Sequence, residues 1–284
     1  METKIINGKE ISAYVKDKIK AEVKEINAQG VEVGLAVILV GDNSASKVYV
    51  ANKKKACEDL GIVSYEYVLP AQTTREELLG LVKELNENEK VNGILCQLPL
   101  PSHLDEKEII NAIAPEKDVD AFHPVNVGKI MIGDFDFLPC TPAGVMEMLK
   151  YCDIDVCGKE CVVIGRSNIV GKPMSMLLLH KNATVTVCHS RTKNLAEVTK
   201  RADILVSAVG KANFVTADMV KEGAVVIDVG MNRNSEGKLC GDVDYANVFP
   251  HCSAITPVPG GVGPMTIAML MQNTLTAAKK QKNK

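Results

Sequence analysis

VVIGRSNIVGKP, residues 162–173, is the stretch on which the reading of this chain turns. An apolar, strand-like run over 161–164 stops at Gly165. A short turn follows, and a helix-like segment starts near Gly171. That is the layout of a nucleotide-binding βα corner, where glycines let the backbone approach a phosphate and the helix N-terminus favours negative charge. The third position of the G-x-G-x-x-G fingerprint is Ser167, so the glycine pattern alone leaves an ordinary tight turn open.

The next strand is expected over 184–188, followed by His189, Ser190 and Arg191. An NAD-binding unit carries an acid about 20 residues after the glycine turn, to hold the ribose 2′-hydroxyl. Here a hydroxyl and a cation stand instead, and Arg166 sits in the turn itself. Two guanidiniums and a serine suit a 2′-phosphate, because arginine offers phosphate oxygens a rigid fork of donors. The expected coenzyme is NADP rather than NAD. Taken alone, Arg191 reads as a solvated surface charge, but Arg166 and Ser190 fall together at the two expected positions.

Composition excludes several classes. At 284 residues the chain can bury one large core or two ordinary ones. A hydrophobic fraction of 46%, a charged fraction of 24% and a net charge of −2 describe a globular protein with no electrostatic footprint for nucleic acid. The N-terminus lacks the apolar core of a signal peptide, and no apolar run approaches the roughly 18 residues of a membrane helix. The nine cysteines form no C-x-x-C pairs and have no histidines at metal spacing, so no metal site is expected. Cys96, Cys161 and Cys188 lie in strand-like runs as small buried hydrophobes, which fits a reducing cytoplasm.

Periodicity predicts helices over 10–27, 44–60, 73–86 and 105–114, with strands over 34–40, 62–69 and 91–97. Gly61 is placed to stop the second helix, and Thr73 with Glu76 to form a capping box on the third. This alternation implies a parallel sheet with crossover helices. Residues 115–139 read as a hinge. Thr141 and Pro142 start a helix as N-cap and first turn. Strands follow at 204–208 and 224–229, then a Pro/Gly loop over 256–266 and a final helix over 265–279. The fold class is α/β with two domains, a parallel α/β N-terminal catalytic domain and a Rossmann-like NADP-binding domain.

Candidate chemistry lies in the first domain. Ser46, Tyr49 and Lys53, at i, i+3 and i+7, share one helix face just past a strand's carboxyl end, where open α/β sheets place ligands. Gln97 ends a neighbouring strand and Asp120 follows the third crossover, so an amine, a phenol, an amide and a carboxylate are expected to converge. The alternative is a lysine run, Lys53 to Lys55, on a solvated face. Partial burial can pull a lysine well below its usual ~10.4 and fit it for proton transfer. A neutral amide such as Gln97 holds the amine without pushing that value back up.

At this point the chain resembles the bifunctional methylenetetrahydrofolate dehydrogenase/methenyltetrahydrofolate cyclohydrolase (FolD) family over essentially its whole length. The matching stretches are SASKVYVANKKKACEDLGI (44–62), GILCQLPLP (93–101), KDVDAFHPVNVGKI (117–130), CTPAG (140–144), VVIGRSNIVGKPMSMLL (162–178), TVTVCHSRT (184–192), ADILVSAVGK (202–211), VVIDVGMNR (225–233), GDVD (241–244) and TPVPGGVGPMT (256–266). The resemblance implies NADP-dependent oxidation of 5,10-methylenetetrahydrofolate and hydrolysis of the product to 10-formyltetrahydrofolate, both in one shared pocket.

It also implies residue roles. Lys53 is the catalytic candidate, Tyr49 packs on the folate, Gln97 supports the lysine and Asp120 hydrogen-bonds the pterin. Ser46 and Leu98 line the substrate. Gly165, Arg166, Ser167, Ser190, Arg191 and Met231 contact the coenzyme, and Pro259, Gly260 and Gly261 border both ligands. The implied folate-binding domain is 1–139 with the helix 265–284, and the NADP-binding domain is 140–264. The implied assembly is a cytoplasmic homodimer joined through nucleotide-domain surfaces, with tetrahydrofolate derivatives as its ligands and neither nucleic acid nor membrane as partner.

Two departures from the family pattern stand out. Ala121 follows Asp120 where the family has glycine, which strains the loop if that position needs a positive φ. Met231 replaces the usual Ile or Val, a volume-tolerant change. Three further readings stay open at this level: a monofunctional methylenetetrahydrofolate dehydrogenase, another NADP-dependent two-domain dehydrogenase, and a non-catalytic nucleotide-binding regulator.

Overall fold

The computed structural model describes residues 2–282 and divides into two compact units, neither contiguous in sequence. Tyr14–Cys140 and the chain from Ile267 onward make one; the chain up to Ala13 and Thr141–Thr266 make the other.

In the first unit, three parallel strands lie in the order Val63–Leu69, Gly34–Val40, Gly93–Cys96. Gly34–Val40 is central and buried along its whole length, as a strand covered on both faces must be. The crossover helices are Ser44–Leu60 and Arg75–Glu87. Gly61 closes the first of them at φ +76°, a conformation glycine adopts at little cost. Leu78, Val82 and Leu85 of the second helix pack on Ala36, Ile38 and Ile94 of the sheet. The capping box on that helix is formed by Thr74 and Glu77, one residue later than Thr73 and Glu76. The Thr73 hydroxyl instead donates to Pro70 O.

Beyond Gly93–Cys96 the chain returns alongside the sheet. Ile94 N donates to Lys117 O, and Ile94 bridges Asp118 in parallel. Residues 115–139 are not an open hinge, because a helix, Pro124–Ile132, occupies them. Its apolar face is short and its proline sits at the first turn, so the periodic signal is weak. The last helix is longer than expected, Val262–Lys282, and its buried Leu270, Met271 and Leu275 belong to this unit.

The second unit holds a six-stranded parallel sheet. Its order is Lys4–Ile5, Cys252–Ile255, Ala224–Asp228, Ile204–Ser207, Glu160–Ile164, Thr184–Cys188. The chain leaves Glu160–Ile164 in one direction and later returns on its other side, so its carboxyl end is the topological switch point where such sheets bind ligands. Lys4–Ile5, expected in the first domain, pairs here with Cys252–Ile255. Both strands, and the short helix Leu195–Thr199, lacked a readable pattern because each is five residues or fewer. The helix expected to open with Thr141 as N-cap begins at Cys140, as Cys140–Tyr151, so Thr141 lies inside its first turn instead. All nine cysteines are free, and Cys96, Cys161 and Cys188 are buried.

Candidate functional sites

Each unit carries one candidate site at the carboxyl edge of its sheet. In the three-stranded unit the site is built on the lysine. Lys53 is only 8% exposed, two turns into the helix that follows Gly34–Val40. Its Nζ donates to Gln97 Oε1 at 2.7 Å. Gln97 stands just past its strand, with its backbone N bonded to Ile38 O, and its Nε2 donates to Leu98 O at 2.7 Å. That second bond fixes the amide so that its oxygen faces the amine. Burial lowers the Lys53 pKa, opposed by the negative charge of Asp120. The amide adds no charge of its own, so the amine stays easier to deprotonate than a surface lysine.

Asp120 is the second titrating group. Burial pushes its carboxyl up to about 6, against the pull of the Lys53 cation. Beside Asp120 lies a residue that sequence reasoning did not single out. Cys140 is buried, donates to Val119 O at 3.7 Å and lies 3.9 Å from Asp120 Oδ1. Burial raises its pKa well above the usual thiol value, so it is a neutral thiol. The CTPAG stretch carried it, but nothing in the spacing tied it to Asp120, 20 residues away.

Ala121 occupies the left-handed region at φ +58° and is fully buried. The other non-glycine residues at positive φ among the described ones are Asn or Asp, whose short polar side chains tolerate that region. For alanine the conformation costs roughly 1–2 kcal/mol. Tyr49 is 37% exposed and Ser46 is buried on the same helix. Lys54, next to Lys53 in the lysine run, is paired with Glu66 at 2.9 Å on the exposed side of the helix. His123 accepts a hydrogen bond from Val125 N, and His189 one from Arg191 N; both serve the local backbone.

In the six-stranded unit the glycine corner is tight. Gly165 sits at φ +130°, and a Cβ there would stand 2.4 Å from Ala208 O. A Cβ on Gly171 would stand 2.2 Å from Gly165 O. Only glycine fits either place, which brings bare backbone to the switch point. The Ser167 hydroxyl accepts from Val170 N at 3.1 Å and Gly171 N at 3.4 Å. Ile164 pairs with Cys188, and Gly165 N donates to Cys188 O, so Arg166 and Ser167 leave the sheet beside the strand that leads to Ser190 and Arg191. Arg166, Ser167, Ser190 and Arg191 are all exposed. Two exposed guanidiniums on the segments that leave neighbouring strands, near a bare-backbone helix start, suit a phosphorylated dinucleotide.

Met231 is half-exposed in the same unit. Pro259, Gly260 and Gly261 form a loop packed against the first helix, where a Cβ on Gly8 would collide with Gly261 O. A buried carboxylate pair not anticipated from sequence underlies this edge. Asp228 accepts from the backbone N of Gly230, Asp242 and Val243. Asp242 accepts from Ser207 Oγ, Val209 N, Lys211 N and Asn232 Nδ2. These bonds tie together the loops that follow two strands of the sheet.

Comparison with known proteins gives two family matches. A model described as tetrahydrofolate dehydrogenase/cyclohydrolase, catalytic domain, matches residues 6–120, and its NAD(P)-binding domain counterpart matches residues 139–282. The chain is 63% identical over 281 residues to the bifunctional protein FolD of Acetivibrio thermocellus, covering 99% of both chains. It is similar in structure to the FolD dehydrogenase/cyclohydrolase of Campylobacter jejuni, at 51% identity and a TM-score of 0.96, covering 98% of this chain and 99% of that one. It is also similar to the Trypanosoma brucei enzyme solved with NADP and an inhibitor, at 38% identity and a TM-score of 0.95, covering 100% of both.

Proposed function

The chain belongs to the tetrahydrofolate dehydrogenase/cyclohydrolase family, and on that premise we propose how its own residues serve the two reactions. It is a bifunctional enzyme that oxidises 5,10-methylenetetrahydrofolate with NADP and hydrolyses the resulting 5,10-methenyltetrahydrofolate to 10-formyltetrahydrofolate. When bound, the coenzyme supplies the hydride acceptor. The protein's part in that step is alignment. Gly165 and Gly171 clear the backbone for the pyrophosphate, Ser167 and Ser190 offer hydroxyls, and Arg166 and Arg191 take the 2′-phosphate. Met231 borders the nicotinamide end.

In the hydrolytic step, water attacks the methenyl carbon and Lys53 moves the proton as the ring opens. Gln97 holds the amine in place, Asp120 binds the pterin, and Tyr49 packs on its face. Ser46 and Leu98 shape the substrate site, and Pro259, Gly260 and Gly261 form a rigid loop within the nucleotide unit. The unit made of Tyr14–Cys140 and the chain from Ile267 serves folate, and the unit made of the chain up to Ala13 and Thr141–Thr266 serves NADP. The observation that carries this reading is the 2.7 Å bond from the buried Lys53 amine to an amide that is itself fixed.

Lys53→Ala tests it. Cyclohydrolase activity is expected to disappear while NADP binding survives; full retention of hydrolysis would remove Lys53 from its role.

The same family reading makes the enzyme a cytoplasmic homodimer joined through nucleotide-unit surfaces, with no nucleic-acid or membrane partner. Exposed Leu179 and Val187 beside the edge strand Thr184–Cys188 support that face. Sedimentation equilibrium reads the assembly directly, and a monomer at micromolar concentration would refute it. Among the described residues, no helix is long and apolar enough to cross a membrane.

A further inference from the structure

We infer that Asn126 and Asn273 are positioning residues for hydrolysis: with the Asp118 carboxylate they clamp the turn over 118–123 in its strained form, and so keep Asp120 beside Lys53. This rests on the assignment of Lys53 and Asp120 to the reaction. The turn is closed by few bonds. Ala121 N donates to Asp118 O at 3.1 Å, and His123 N donates to Asp118 Oδ2 at 2.8 Å. Ala121 lies between those two closures at φ +58°, with Asp120 immediately before it. Left to itself, an alanine returns to negative φ, which swings the preceding carboxylate away from its place.

Two amides oppose that return. Asn126 Nδ2 donates to Asp118 Oδ2 at 2.8 Å and to Pro115 O at 2.9 Å. Asn273, on the last helix, donates through Nδ2 to Val119 O and to Leu138 O, both at 2.8 Å. Asp118, Asn126 and Asn273 are 2%, 3% and 5% exposed, so bulk water is kept from these bonds. Among the described residues no ion pair reaches Asp118; its carboxylate is met by amide donors, which makes those bonds directional as well as strong. Asn126 pins the start of the turn to the helix that follows it. Asn273 pins Val119, one residue before Asp120, to the helix that completes the unit.

The test separates position from stability. Asn126→Ala and Asn273→Ala are made alone and in combination with Ala121→Gly. They are assayed for kcat of methenyltetrahydrofolate hydrolysis and for NADP affinity, at a temperature where each is folded. Each asparagine variant is expected to lose about tenfold or more in kcat, with NADP affinity unchanged, because one or two oriented hydrogen bonds are removed. Adding Ala121→Gly is expected to restore most of that loss. Glycine adds no contact and adopts the left-handed conformation without alanine's steric penalty, so the rescue reports backbone conformation; a merely structural asparagine would show none.

If Asn126→Ala does not fold, Asn126→Ser and Asn273→Ala carry the test. Asp120→Asn is the control on the underlying reading. Unchanged hydrolysis in the asparagine variants, beside an inactive Asp120→Asn, overturns the inference and leaves the site standing. A loss that glycine does not repair overturns it as well. An active Asp120→Asn overturns both.

Discussion

Lys53 and Asp120 show how much of a site depends on environment rather than residue type. Both titrate away from their ordinary values, the amine downward and the carboxyl up to about 6, and burial is the leading cause in each case. For Asp120, a folded pKa above the usual ~3.9 means that the folded state binds the proton more tightly. That contribution to stability is fully present below about pH 4 and is lost as pH rises through 6. Asp120→Asn is therefore expected to be more stable than the parent at pH 7, with a ceiling of roughly 3 kcal/mol, and the gain should vanish at pH 4. The Lys53 cation reduces the gain, because it loses its nearby anion. Urea midpoints at the two pH values check the sign; equal differences at both would contradict it. At the neighbouring position, Ala121→Gly relieves left-handed strain while loosening the unfolded chain. A net gain of about 0.5–1 kcal/mol is expected in thermal unfolding.

At the scale of elements, the glycine corner leaves bare backbone at one strand end, and the proposed coenzyme site rests on it. The requirement is steric and local: the Gly171 Cα faces Gly165 O so closely that a methyl would stand 2.2 Å from it. Gly171→Ala is expected to push the turn away from the helix start and weaken NADP binding by about tenfold or more, the equivalent of ~1.4 kcal/mol. Hydrolysis of methenyltetrahydrofolate consumes no coenzyme and should keep its kcat. Parallel titrations of NADP and of hydrolysis separate the two. The capping box one residue later than expected, at Thr74 and Glu77, illustrates a general limit at this scale. Two consecutive threonines, each followed three residues later by glutamate, are equivalent in sequence, and only the entry angle of the chain chooses between them.

At the scale of the whole molecule, neither unit is a continuous stretch of chain. The unit with the three-stranded sheet takes its last helix from beyond Ile267, and Leu270, Met271 and Leu275 on it are buried to 2% or less. Burying three such side chains contributes about 1.5–3 kcal/mol each, comparable to the entire stability of a domain. Residues 1–140 expressed alone are therefore expected to lack cooperative thermal unfolding by circular dichroism, and supplying 267–284 through a flexible linker should restore it. Sequence by itself determined the α/β class, the parallel alternation and the βα corner at Gly165, because hydrophobic period and glycine sterics are local. It also marked Lys53, Gln97 and Asp120 as candidates, through motifs that the family shares. Tertiary structure alone decided which sheet receives Lys4–Ile5 and placed Cys140 against Asp120. It also brought Asn126 to Asp118 and Asn273 to Val119, on the turn that holds a left-handed alanine, and joined two loops through Asp228 and Asp242. Those are contacts between distant segments, made by short polar side chains that leave no periodic trace along the chain.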